Sequence, residues 1–176
     1  MAVQLALMRG INVGGKNKLP MKELAALFEE AGCADICTFI QSGNVIFTAT
    51  KKVSDGLSKT VAARIAERYG YSTPVVLRTL EQMRSVVASN PFPGGDEHLH
   101  VMFLRDRPNP EQIAGLDPNR SAPDRFIVRG QEIYLHLPGG AGNSKLTNAW
   151  FDSKLATVST GRNWRTVTKL LELMEE

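Results

Sequence analysis

Apolar and polar positions along the chain recur with two periods, one suited to strands and one to helices. Val3–Arg9 is a near-continuous apolar run and predicts a central strand buried on both faces. Pro20 suits the first turn of a helix that sets Leu24, Leu27, Phe28 and Ala31 on one face and stops at Gly32. Ile36–Gln41 and Asn44–Thr48 are short β-rich runs parted by Ser42-Gly43, the spacing of a tight hairpin. Ser54 is placed to cap a second helix, in which Leu57, Val61, Ile65 and Tyr69 recur every fourth residue before Gly70. Pro74–Arg78 completes the order β-α-β-β-α-β, which predicts an α+β ferredoxin-like plait over residues 1–79.

Residues 80–176 predict a second, smaller α+β subdomain packed on the first and ending in a helix. Thr79 and Gln82 form a capping-box pattern ahead of Leu80, Met83 and Val87, and Asn90-Pro91 ends that helix. A turn-rich loop, residues 92–96, leads to a strand at His98–Leu104 and a short helix between Pro108 and Pro118. Asp124–Arg129 and Glu132–Leu137 flank Gly130-Gln131 as a second hairpin. A second glycine-rich loop, Pro138–Lys145, precedes a helical stretch at Leu146–Leu155. The last helix carries Trp164, Val167, Leu171 and Met174 at helical spacing, with Arg165 and Lys169 outward. This half echoes the element order of the first without repeating its sequence, and the border over residues 79–95 is soft.

In such a plait the end of the first strand lies beside the start of the third. The glycine-rich loop after Arg9 therefore meets the Gln41–Asn44 turn, and the first helix begins at the same edge with its free N–H groups outward. Charge sharpens the picture. Arg9, Lys16, Lys18 and Lys22 stand in residues 1–22, and Lys154, Arg162, Arg165 and Lys169 in residues 153–171, with no acid in either segment. Removing these eight from 21 bases leaves 13 against 18 acids, so the positive charge is concentrated while the whole chain is only +3.

Several chemistries lack support. Gly10-x-x-x-x-Gly15-Lys16 follows the phosphate loop until Asn17, where a hydroxyl is required, and Leu19-Pro20 delays the helix that should follow at once. The first and third strands, with Leu5, Ala6, Leu7 and Met8 and with Val45, Ile46 and Phe47, have apolar faces and no exposed basic-aromatic set for stacking RNA bases. His98, His100 and His136 read as exposed strand histidines, with His98 and His100 on one face, and not as a metal set. Cys33 and Cys37 have no second ligand pair and read as reduced thiols of a cytoplasmic protein. Ser42 and Ser144 have no base beside them in sequence. The N-terminal run reads as a strand and not as a signal peptide, and no stretch approaches the roughly 20 apolar residues of a membrane span.

Five ordered motifs carry a family resemblance: Arg9–Lys16, Gln41–Val45, Asn90–Phe92, Asn143–Leu146 and Arg162–Val167. Together they resemble a bacterial family known only as domain of unknown function 1697, over essentially the whole chain. The resemblance implies an α+β protein whose first part is a ferredoxin-like plait; it implies no activity, cofactor or catalytic residue. Gly161 is a departure from the usual pattern before Arg-Asn-Trp and leaves the position of the last helix cap open.

The expectation is a binding edge for a phosphate-bearing ligand, a nucleotide or a nucleic-acid backbone. Its residues are Arg9, Gly10, Asn12, Gly14, Gly15, Lys16, Lys18, Gln41, Ser42 and Asn44, joined by Lys145, Arg162, Asn163 and Arg165. Glycines let backbone N–H groups approach, bases neutralise charge, and Asn12, Asn44 and Asn163 orient the ligand. One alternative is an enzyme for a small phosphorylated or carboxylated metabolite in the same cleft, with His98, His100 and Asp152 as scattered acid–base candidates. The other is that the glycine motifs only shape turns. The sequence names no cofactor and sets no oligomeric state.

Overall fold

The computed structural model describes every residue except Gly95, which lies within the expected 92–96 turn and so leaves that part of it outside the described residues. The chain runs β1 (Ala2–Met8), α1 (Met21–Glu30), β2 (Ala34–Phe39), β3 (Asn44–Ala49), α2 (Lys51–Tyr69), β4 (Val75–Thr79) and α3 (Leu80–Ala88). It continues with β5 (Leu99–Leu104), α4 (Pro110–Ala114), β6 (Arg125–Arg129), β7 (Glu132–His136), α5 (Asn148–Leu155), β8 (Ser159–Asn163) and α6 (Trp164–Met174). Two compact units result, Met1–Arg84 with Leu170–Glu176, and Ser85–Lys169. Each holds a four-stranded antiparallel sheet, ordered β2-β3-β1-β4 and β6-β7-β5-β8. The class is α+β.

In the first unit the pleat divides β1 cleanly. Ala6 and Met8 join Val45, Phe47 and Ala49 of β3 against Leu24, Leu27 and Phe28 of α1 and Leu57, Val61 and Ile65 of α2. Leu5 and Leu7, on the other face, are also fully buried, so β1 is covered on both sides as its apolar run predicts. Phe28 and Phe47 meet at 5.4 Å between ring centroids, in a tilted arrangement. The expected cap of α2 is corrected. Thr50, not Ser54, accepts from Val53 N, so the helix begins a turn earlier. Ser54 Oγ instead donates to the Thr50 carbonyl and accepts from Gln4 Nε2 at 2.5 Å.

In the second unit Met102 and Leu104 of β5 and Ile133 and Leu135 of β7 pack with Leu146, Phe151 and Leu155. Thr147 caps α5 by accepting from Trp150 N, and Gly130 turns the hairpin at φ 61°. Three expectations change here. His98 ends a 3-10 turn, Asp96–His98, and so does not share a strand face with His100. The helix expected over 108–118 forms only at Pro110–Ala114, started by an Asn109–Gln112 capping box. Ser159–Asn163 is a strand that hydrophobic patterning passes over, because its buried residues are polar.

The two sheets share a register. Leu5 sits between Ile46 and Arg78, as Val101 sits between Tyr134 and Arg162. Arg78 and Arg162 are both buried, and each Nη1 donates to the carbonyl of the residue before it, at 2.9 and 2.8 Å. The echo noted in element order thus extends to individual sheet positions.

Candidate functional site

Strand pairing in the first unit sets the glycine-rich loop beside the hairpin turn. Leu7 of β1 lies opposite Asn44 of β3, and Met8 N donates to the Gly43 carbonyl at 2.9 Å. A Cβ on Gly43, where φ is +84°, would stand 2.8 Å from Ile11 Cδ1 and 2.9 Å from Met8 Cβ. Loop and turn therefore touch at a point that tolerates no side chain.

Asn12 fastens the two segments. Its Nδ2 donates to the carbonyls of Leu19 and Gln41 at 2.9 and 2.8 Å, and its Oδ1 accepts from Leu19 N at 2.8 Å. Asn17 closes the loop from within, Nδ2 donating to the Gly10 carbonyl at 2.8 Å and its own carbonyl accepting from Asn12 N. Asn44 is fully buried and donates to the Phe39 carbonyl and Ser42 Oγ. The amides of Asn12 and Asn44 are thus engaged with the protein's own backbone, where ligand orientation was expected of them. Gly10, Gly14 and Gly15 all take positive φ, and nothing lies within 4 Å of a Cβ built on Gly14 or Gly15.

The resulting tip is cationic. Lys16 and Lys18 are exposed and, among the described residues, form no ion pair. The nearest acid along the chain, Glu23, accepts from Tyr69 Oη at 2.8 Å. Val13 and Ile40 are exposed at 59% and 51%, and Ile40 holds φ at +48°. A third segment joins this edge. Arg9 N donates to the Pro74 carbonyl, and Thr73 Oγ1 donates to the Arg9 carbonyl at 2.6 Å. Sequence reasoning missed Thr73, although the antiparallel β1–β4 pairing brings the start of β4 to the same place.

The remaining candidates lie in the second unit. Lys145 is exposed, but its backbone is anchored: its N–H donates to Ser121 Oγ and its carbonyl accepts from Arg120 Nε, both at 3.0 Å. Arg162 is buried in β8, where Nη1 donates to Thr160 Oγ1 and the Gly161 carbonyl. Burial pushes its pKa down to about 10, which still leaves the guanidinium charged at neutral pH. Asn163 provides the cap left open by Gly161, its Oδ1 accepting from Thr166 N at 2.8 Å.

Asn163 and Arg165 line a cleft of about 560 Å³ with Asp96, Glu97, His100, Trp164 and Thr168. Burial, and secondarily the neighbouring His98, lower the pKa of His100 below 6.5. His100 and Asn163 are strand partners across β5 and β8, a proximity hidden from sequence because β8 was not foreseen. The rings of His98 and His136 stand edge to face at 6.1 Å. Cys33 is buried, which raises its thiol pKa, while Cys37 is exposed; both are free. Among the described residues no helix is long and apolar enough to cross a membrane.

Comparison with known proteins finds a family and a fold. Among curated proteins none matches the chain. The chain is similar in structure to a conserved bacterial protein from Streptococcus pneumoniae, with a TM-score of 0.72 at 20% identity, covering 100% of this chain and 99% of that one. Residues 1–134 match the family described as "Protein of unknown function (DUF1697)", a span that takes in the glycine-rich loop, the hairpin turn and most of the second sheet. The chain therefore belongs to the DUF1697 family.

Proposed function

We propose that the edge formed by Arg9–Lys18 and Gln41–Asn44 binds a phosphate-bearing ligand, with a nucleic-acid backbone fitting it better than a single nucleotide. One observation carries this reading. A loop held rigid by Asn12 and Asn17 presents Lys16 and Lys18 to solvent, and no carboxylate among the described residues pairs with either. An internally fastened loop loses little conformational freedom when it meets a ligand. The open surroundings of Gly14 and Gly15 leave room for phosphate oxygens to approach the backbone. Residues 13–18 are exposed, and an exposed cationic stretch suits successive phosphates of an extended chain.

In the same reading each unit is a ferredoxin-like plait, supported by its element order and by the strand order of its sheet. The partner would then be a cytoplasmic nucleic acid of a bacterial cell.

Fluorescence anisotropy with short labelled RNA and DNA single strands, at low and rising salt, tests the proposal. Binding at low salt that Lys16→Ala weakens severalfold is the expected result. Absence of binding at low salt, or affinity indifferent to Lys16→Ala, would overturn it. The metabolite-enzyme alternative, expected at this same edge, would move to the second unit, where His100, its pKa lowered by burial, lines a cleft with Arg165.

A further inference from the structure

We propose that the cleft at the β8–α6 junction of the second unit binds a small zwitterion, a molecule bearing a carboxylate and an ammonium in the manner of a free amino acid. At about 560 Å³ the cavity falls in the usual size range of small-molecule sites. Its lining carries both charges, the Arg165 guanidinium and the Asp96 and Glu97 carboxylates. Yet among the described residues Arg165 forms no ion pair and the Asp96 carboxylate accepts no hydrogen bond. Among the described residues the Glu97 carboxylate reaches only His98 Nε2, at 3.6 Å.

Two neutral groups of the lining are similarly uncommitted. Asn163 gives its Oδ1 to the helix cap and, among the described residues, uses neither amide hydrogen of Nδ2. His100, its strand partner, makes no hydrogen bond among the described residues through either ring nitrogen. A neutral imidazole there supplies one donor and one acceptor without adding charge. Thr168 Oγ1 donates to the carbonyls of Trp164 and Arg165, so the cleft can use only its lone pairs.

These groups select a ligand class. An anion alone would satisfy Arg165 and Asn163 but meet Asp96 and Glu97 as repulsion, and a cation alone would leave Arg165 unmatched. A molecule with both charges satisfies both sets: carboxylate to the Arg165 guanidinium and the Asn163 amide, ammonium to Asp96 and Glu97.

Calorimetric titration of the full chain with a panel of free L-amino acids, each beside its N-acetyl and carboxamide forms, tests this. At least one free amino acid should bind with a dissociation constant of about 1 mM or tighter, and each blocked form should bind about tenfold more weakly. Arg165→Gln should weaken the free amino acid about tenfold while leaving its carboxamide unchanged. Asp96→Asn should abolish the preference over the N-acetyl form. Both side chains are exposed, and an unchanged thermal midpoint verifies that the variants fold. No binding across the panel, blocked forms binding as well as free ones, or indifference to Arg165→Gln would each overturn the proposal.

Discussion

Two residues at the first unit's edge show opposite relations between conformation and stability. Ile40 is β-branched, half exposed and held at φ +48°, where a β-branched side chain crowds its own backbone. Little apolar contact is lost on removing it, so Ile40→Gly should stabilise the protein by about 1 kcal/mol in urea unfolding. Unchanged or lower stability would mean that the exposed side chain packs in solution. Asn12 also sits at positive φ, yet its amide makes three hydrogen bonds. Asn12→Ala leaves a backbone N–H and two carbonyls without those partners and should cost about 2–3 kcal/mol. Its effect on oligonucleotide binding should then exceed that of Lys16→Ala, because the whole loop loosens. At His100 the linkage is one of pH. Its folded pKa lies below 6.5, so between the two values the unfolded chain binds more protons and stability falls as pH drops. Above 6.5 the group contributes no pH dependence. His100→Gln should flatten part of the loss in melting temperature between neutrality and about pH 5.

At the scale of elements, legibility followed apolar content. Strands β1, β3, β5 and β7 and helices α1 and α2 each bury several hydrophobic side chains, and periodicity finds such segments. Strand β8 buries Ser159, Thr160 and Arg162 instead. The cost of burying them is offset by hydrogen bonds, from Ser159 Oγ to Asp152 and from Arg162 to Thr160 and Gly161, which no hydropathy pattern records. Thr157-Val158-Ser159-Thr160 did carry a β-branched signal, outweighed by the glycine and bases that follow. The cap of α2 was misplaced for another reason: Thr50 and Ser54 are both residues favoured at caps, Ser the more so, and the end of β3 at Ala49 decides for Thr50. Thr50→Ala should therefore destabilise by about 1 kcal/mol through loss of the cap. Ser54→Ala acts differently, by depriving the Gln4 side chain of its 2.5 Å partner. Equal responses from both variants, each combined with Gln4→Ala in a double-mutant cycle, would contradict that division of roles.

On the scale of the whole molecule, sequence located the charge but not how the polar side chains are used. An antiparallel pairing of the first and third strands was enough to place Arg9–Lys18 beside Gln41–Asn44, since strand pairing fixes which loops share an edge. Whether an asparagine faces a ligand or fastens a loop depends on atoms brought together from 7 and 29 residues away, and Asn12 proved to be a fastener. What stays available is cationic, and that gives a thermodynamic signature distinct from mere loss of affinity. A chain of only +3 net charge, carrying four bases and no acid in its first 22 residues, attracts a polyanion by a local field and not through overall charge. Binding to single-stranded nucleic acid should therefore lose affinity with salt at a log–log slope of about −0.7 per phosphate neutralised. Lys16→Ala and Lys18→Ala should each reduce that slope by about 0.7, and the two should add, because the side chains contact separate phosphates. Lys59→Ala, an exposed base on α2, should leave the slope unchanged. A slope that all three variants shift equally would assign the attraction to net charge and remove the edge as its source.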